Sequence, residues 1–156
     1  MPSDTAGKQQ VGIILVTHVD YGSSLLRAAE FIVGSTLLDC TCIQVDSSLA
    51  VEETVTRLQE AVDRLSTGSG VLVLTDMFGG TPTNLSLSLL GSRKDVEVLT
   101  GMNLPMLLRV LANRELPLNE LADLAAVAGR EGIIAAGQLL RSKNETRKEN
   151  KEGSDT

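Results

Sequence analysis

The chain has 156 residues, a net charge of −6 and a hydrophobic fraction of 42%. That length suits one domain with a sizeable core and leaves little room for a second. The acidic balance argues against a nucleic-acid partner, because phosphate-backbone binding needs a basic face. With aromatics at 2% and no Trp, the core must be built from Leu, Val, Ile and Ala.

Residues 1–10 are polar, carry no signal-peptide pattern and are expected to be flexible. No apolar run approaches the ~20 residues of a membrane span. Val11 to Val16 is a continuous apolar run, the signature of a parallel strand buried on both faces. It ends at Thr17-His18-Val19-Asp20. From Ser23 the period changes: Leu25, Leu26, Ala29, Ile32 and Val33 share one helical face, with Gly34 as C-cap. Cys40 to Val45 reads as a second strand, on which Cys40 and Cys42 are expected to point to opposite faces and not to pair. Reduced thiols fit a cytoplasmic protein.

Asp46-Ser47-Ser48 supplies N-cap chemistry for a helix carrying Val51, Val55, Leu58, Val62 and Leu65, with Glu52 and Glu53 at its positive end. Thr67 to Gly70 is a turn, and Val71 to Leu74 a third apolar strand. After Thr75-Asp76-Met77-Phe78-Gly79-Gly80, Thr81 reads as an N-cap and Pro82 as the first residue of a short helix reaching Leu90. Val96 to Leu99 is a fourth strand, and Pro105 opens a helix running to about Asn113. Leu118 to Ala128 is a further helix closed by Gly129, and Ile133 to Ala136 a final short strand. From Arg141 the chain is charged and nearly free of apolar residues, which predicts a disordered tail over 141–156.

Four successive β–α units predict a single doubly wound α/β domain over 11–140. Its sheet is expected to be mainly parallel, with helices on both faces and an antiparallel edge strand from the C-terminal segment. Ligands of such sheets bind beyond the strands' carboxyl ends, where the strand order switches. The site is therefore expected from Thr17–Tyr21, Asp46–Ser48, Thr75–Thr81 and Thr100–Asn103.

His18 is the chain's sole histidine and follows the first strand directly. Before context is weighed, a lone histidine is more often a surface or core residue. Its position at the predicted ligand edge, before a Gly22-Ser23-Ser24 helix start that favours anions, argues for chemistry. Asp76 ends the third strand and could fix the imidazole tautomer, leaving the second ring nitrogen free to attack. Gly79-Gly80-Thr81 allows close backbone approach at a helix start. The blander reading is that Asp76 and these glycines only form a turn. The chain has no Walker A lysine, no dinucleotide fingerprint and no G-x-S-x-G elbow to make Ser23 or Ser24 a nucleophile. One His and two Cys on alternate faces argue against metal binding, and no cofactor is expected.

These segments together resemble the IIA domain of the mannose family of the bacterial phosphoenolpyruvate-dependent sugar phosphotransferase system. Ile14-Leu15-Val16-Thr17-His18 is similar to the family's first strand and phosphorylated histidine. Leu74 to Asn84 resembles its D-x-x-G-G-[ST]-P-x-N segment, Thr100 to Leu107 its G-x-N-x-P-M-L segment, and Gly129-Arg130-Glu131-Gly132 its closing G-R-E-G. The resemblance implies a phosphotransferase that accepts phosphate on His18 from phospho-HPr and passes it to a IIB component. By the same resemblance Asp76 orients the ring, and Thr81, with Gly79 and Gly80, binds phosphate. It also implies a cytoplasmic homodimer, with the last short strand exchanged between subunits, meeting the membrane only through transporter components. A regulatory module reporting phosphorylation state, or a phosphocarrier for a dihydroxyacetone kinase, are the alternatives. The family often has Gly after the histidine; here Val19 and Asp20 follow. A β-branched residue at that point disfavours positive φ.

Overall fold

The computed structural model describes residues 9–152. The strands are β1 (Gly12–His18), β2 (Cys40–Val45), β3 (Val71–Thr75) and β4 (Val96–Thr100). They form one fully parallel sheet in the order β2-β1-β3-β4. The helices are α1 (Tyr21–Val33), α2 (Val51–Leu65), α3 (Thr81–Leu87), α4 (Leu104–Leu111), α5 (Leu118–Glu131) and α6 (Ala136–Glu152).

The continuous apolar runs of β1 and β3 are buried on both sides, as the missing alternation predicts. Ile13, Leu15, Leu72 and Leu74 face one layer with Ala29 of α1, Leu107 and Val110 of α4, and Leu121 and Ala125 of α5. Ile14, Val16, Val71 and Val73 face the other, with Leu58, Ala61 and Val62 of α2. The core is aliphatic, and both phenylalanines, Phe31 and Phe78, are exposed.

Several expectations yield to tertiary contacts. Cys40 and Cys42 pack against the same core layer, because residues two apart on a strand share a face. Both are free thiols, and burial together with Cys40 pushes Cys42 up to about 11. Asp46 does not cap α2: its carboxylate accepts the Ser48 amide at 2.7 Å and the Ser48 hydroxyl, closing a local turn, and Ala50 is the N-cap. Ile32 and Val33 complete the predicted stripe of α1 yet are exposed, whereas Gly34 does cap the helix, at φ 79°.

The helix after Pro117 does not stop at Gly129 but runs to Glu131. Gly129 serves packing instead: a Cβ there would lie 2.7 Å from Met106 Cε. Asn103, the N-cap of α4, accepts the Met106 amide at 3.0 Å and donates to the Gly129 carbonyl at 2.9 Å, locking α4 to α5. Ile133 to Ala135 is not a strand, and the described sheet has four strands with no antiparallel member. Ile133 and Ile134 are exposed, and the segment leads directly from α5 into α6. The segment read as a disordered tail is helical to Glu152: Gln138 to Glu152 contains neither Gly nor Pro and is rich in good helix formers.

Arg114, a loop residue that no sequence pattern marks, is buried against three backbone carbonyls. Its Nε donates to Val11 at 2.9 Å, Nη1 to Leu38 at 2.8 Å and Nη2 to Asp39 at 3.3 Å. It ties the start of β1 to the connection that enters β2.

Candidate functional site

The chain leaves β1 for β2 on one side and returns across β1 to β3 on the other. The switch point is therefore between the carboxyl ends of β1 and β3, where open α/β sheets take their ligands. His18 is the last residue of β1 and Asp76 the first after β3.

The two residues meet there. His18 Nδ1 lies 2.8 Å from Asp76 Oδ2, and the His18 backbone amide donates to the same oxygen at 2.8 Å. The Met77 amide donates to Oδ1 at 2.9 Å. Partial burial pushes the Asp76 carboxyl up, but the two His18 donors and the Met77 amide outweigh it and hold the group below its ordinary value. An ionised carboxylate only accepts, so Nδ1 carries a proton, and in the neutral imidazole Nε2 is the nitrogen with the lone pair. The imidazole is 45% exposed and Asp76 14%, which leaves the ring accessible above a sheltered partner.

Gly80 lies against the ring's far side. A Cβ there would come within 2.9 Å of His18 Cε1 and 3.4 Å of Nε2, so a larger residue would crowd the ring at Nε2. Gly79 serves the turn instead, at φ 81° with open space where a Cβ would project. Gly80 is the N-cap of α3, so Thr81 is one position further in than the sequence suggests. Thr81 and His18 line a common cleft of about 310 Å³ with Asp46, Ser47 and Val51. The segments after β1, β2 and β3 thus converge on one edge.

The start of α1 is less free than its Gly-Ser-Ser sequence suggests. The Gly22 amide donates to buried Thr17 Oγ1 at 2.8 Å, and the Ser24 amide to the Asp20 carbonyl at 3.0 Å. Those two donors are therefore unavailable to an anion. The loop after β4 supports the site indirectly: the Tyr21 hydroxyl donates to the Met102 carbonyl at 3.1 Å.

One feature runs against the sequence expectation and another escapes it. Val19 has φ 44°, a left-handed conformation that its β-branched side chain opposes. Its amide donates to the Val45 carbonyl at 3.2 Å while the preceding amide is held by Asp76, so the fold imposes the conformation. Thr83, one turn into α3, is buried and bonded to Thr75 and to the Met77 carbonyl. Its only sequence signal is a threonine two places after Thr81.

The family model described as "PTS system fructose IIA component" (EIIA-man) matches residues 12–127. The chain belongs to this family. It is 31% identical over 127 residues to the mannose-specific EIIAB component of Escherichia coli K12, covering 80% of this chain and 39% of that longer protein. It is 34% identical over 101 residues to the sorbose-specific EIIA component of Lacticaseibacillus casei, covering 65% of this chain and 72% of the relative. The crystal structure of EIIA from Streptococcus agalactiae superposes with a TM-score of 0.74 at 29% identity, covering 82% of this chain and 98% of that one. EIIA-man proteins are components of a sugar phosphotransferase system, and the fold here is theirs. Among the described residues no helix is long and apolar enough to cross a membrane, and no cluster of His, Cys, Asp and Glu could hold a metal ion.

Proposed function

We propose that this EIIA-man chain is a cytoplasmic phosphocarrier, loaded on His18 Nε2 by phospho-HPr and unloaded onto a IIB component. The observation that carries the proposal is the 2.8 Å contact of Asp76 with Nδ1, which leaves Nε2 as the ring's nucleophile. The Nε2 lone pair attacks the phosphorus of the donor's phosphohistidine. The donor's P–N bond breaks as the new one forms, and its electron pair returns to the donor imidazole. Nδ1 keeps its proton, so positive charge develops on the ring and the Asp76 carboxylate stabilises it. Transfer to the IIB component repeats the exchange in the other direction.

Thr81, Gly79 and Gly80 would flank the phosphoryl group. Support comes from the cleft that Thr81 shares with His18 and from the glycine packed against the ring's far side. Family membership supports HPr and a IIB component as the protein partners and a homodimer as the assembly.

The test is incubation with phosphoenolpyruvate, enzyme I and HPr, followed by intact-mass analysis. The expected product gains one acid-labile phosphoryl group, and His18→Ala gains none. A phosphorylated His18→Ala protein would remove His18 from the role.

A further inference from the structure

We propose that Thr83 is a positioning residue for His18, acting through the Met77 carbonyl on the turn that carries Asp76. The proposal rests on the reading of His18 as the phosphoryl carrier, which it deepens by naming what holds the carboxylate in aim.

Thr83 Oγ1 has three polar neighbours: the Met77 carbonyl at 2.7 Å, Thr75 Oγ1 at 2.7 Å and Thr100 Oγ1 at 3.4 Å. A carbonyl only accepts, so the single Thr83 proton goes to Met77. The Thr75 hydroxyl must then donate to Thr83, and the Thr100 hydroxyl approaches the remaining lone pair. One hydroxyl therefore joins the ends of β3 and β4, the body of α3 and the turn between β3 and α3. Thr75 and Thr83 are both buried, so water is poorly placed to substitute.

The consequence reaches the imidazole by a short route. The Met77 amide donates to Asp76 Oδ1, and the Met77 carbonyl accepts from Thr83. Met77 is thus tethered at both of its backbone polar groups, one of them to the carboxylate itself. Asp76 Oδ2 is then left to receive both the amide and Nδ1 of His18. Without the hydroxyl, the Met77 carbonyl loses its anchor inside the protein. The turn gains freedom, and the carboxylate no longer selects one ring tautomer.

Thr83 touches no reacting atom, so the test needs a readout that a purely structural role would not move. Thr83→Val keeps the side-chain shape and removes the hydroxyl; Thr83→Ser keeps the hydroxyl and removes the methyl. Ring-nitrogen NMR of unphosphorylated protein reads the His18 tautomer directly, and phosphorylation by HPr gives the rate. Thr83→Val is expected to mix the tautomers and slow phosphorylation about tenfold, since small misplacements of reacting groups are costly. Thr83→Ser is expected to restore both. An unchanged tautomer and rate in folded Thr83→Val would overturn the proposal, as would a serine variant no better than valine. If Thr83→Val does not fold, Thr83→Ala against Thr83→Ser gives the same comparison. The tautomer measurement needs no phosphoryl donor, so it separates failure of this proposal from failure of the carrier function.

Discussion

Val19 offers a test of the loop that holds His18. Its φ of 44° lies in the left-handed region, where an L-residue bears a cost of about 1–2 kcal/mol. Glycine escapes that cost but loses about 0.5–1 kcal/mol more backbone entropy on folding. Val19→Gly and Val19→Ala both remove the two γ-methyl groups, so the packing of those methyls cancels between them. Glycine is therefore expected to be the more stable variant, by roughly 0.5–1 kcal/mol. Within a helix or strand the order would be the reverse. Far-UV circular dichroism in urea suits a chain without Trp and with one Tyr. With a slope of about 2 kcal/mol/M, the two midpoints should differ by about 0.4 M. An alanine variant as stable as the glycine variant would refute the strain, and with it the loop geometry.

Replacing Asp76 with Asn should slow phosphorylation of His18, measured by rapid-quench kinetics, because the ring loses its charged partner. The Asp76 carboxyl is held below its ordinary value near 3.8, so its contribution to stability is complete above that pH and is lost as pH falls through the lower folded-state value. The stability gap between wild type and Asp76→Asn should accordingly narrow below about pH 4. Gly80→Ala should slow phosphorylation with little loss of stability in thermal melts, since the added methyl meets His18 Cε1 at 2.9 Å. Arg114→Ala should destabilise by about 2–4 kcal/mol in urea titrations, because it removes one donor from each of three backbone carbonyls, of which Asp39 keeps the Ile13 amide. Arg114→Lys should recover only part of this, for an ammonium cannot span three carbonyls as a guanidinium does.

Much of this was readable in the sequence because it is local. Unbroken apolar runs located β1 and β3, shorter β-rich segments located β2 and β4, and the rule for ligands in open sheets brought His18 and Asp76, 58 positions apart, to one edge. What escaped was tertiary. Gly129 looks like a helix stop, but Met106 determines why a glycine stands there. Arg114 looks like an ordinary loop cation until the carbonyls of Val11, Leu38 and Asp39 converge on it. The apolar stripe of α1 is correct in period yet outlasts the surface it packs on, leaving Ile32 and Val33 exposed. The Gly22 and Ser24 amides looked free for an anion, but Thr17 and Asp20 occupy them. Val19 was expected to resist positive φ, and the structure holds it there through its own amide on Val45 and the preceding amide on Asp76.

The central claim is that Asp76 engages Nδ1 of His18 and leaves Nε2 to carry the phosphoryl group. Phosphorus–nitrogen NMR on the protein phosphorylated by HPr, with labelled histidine, tests it most directly. The account predicts a phosphoryl group bonded to Nε2 of His18, with the Nδ1 proton retained. A phosphoryl group on Nδ1, or on any other residue, would contradict it.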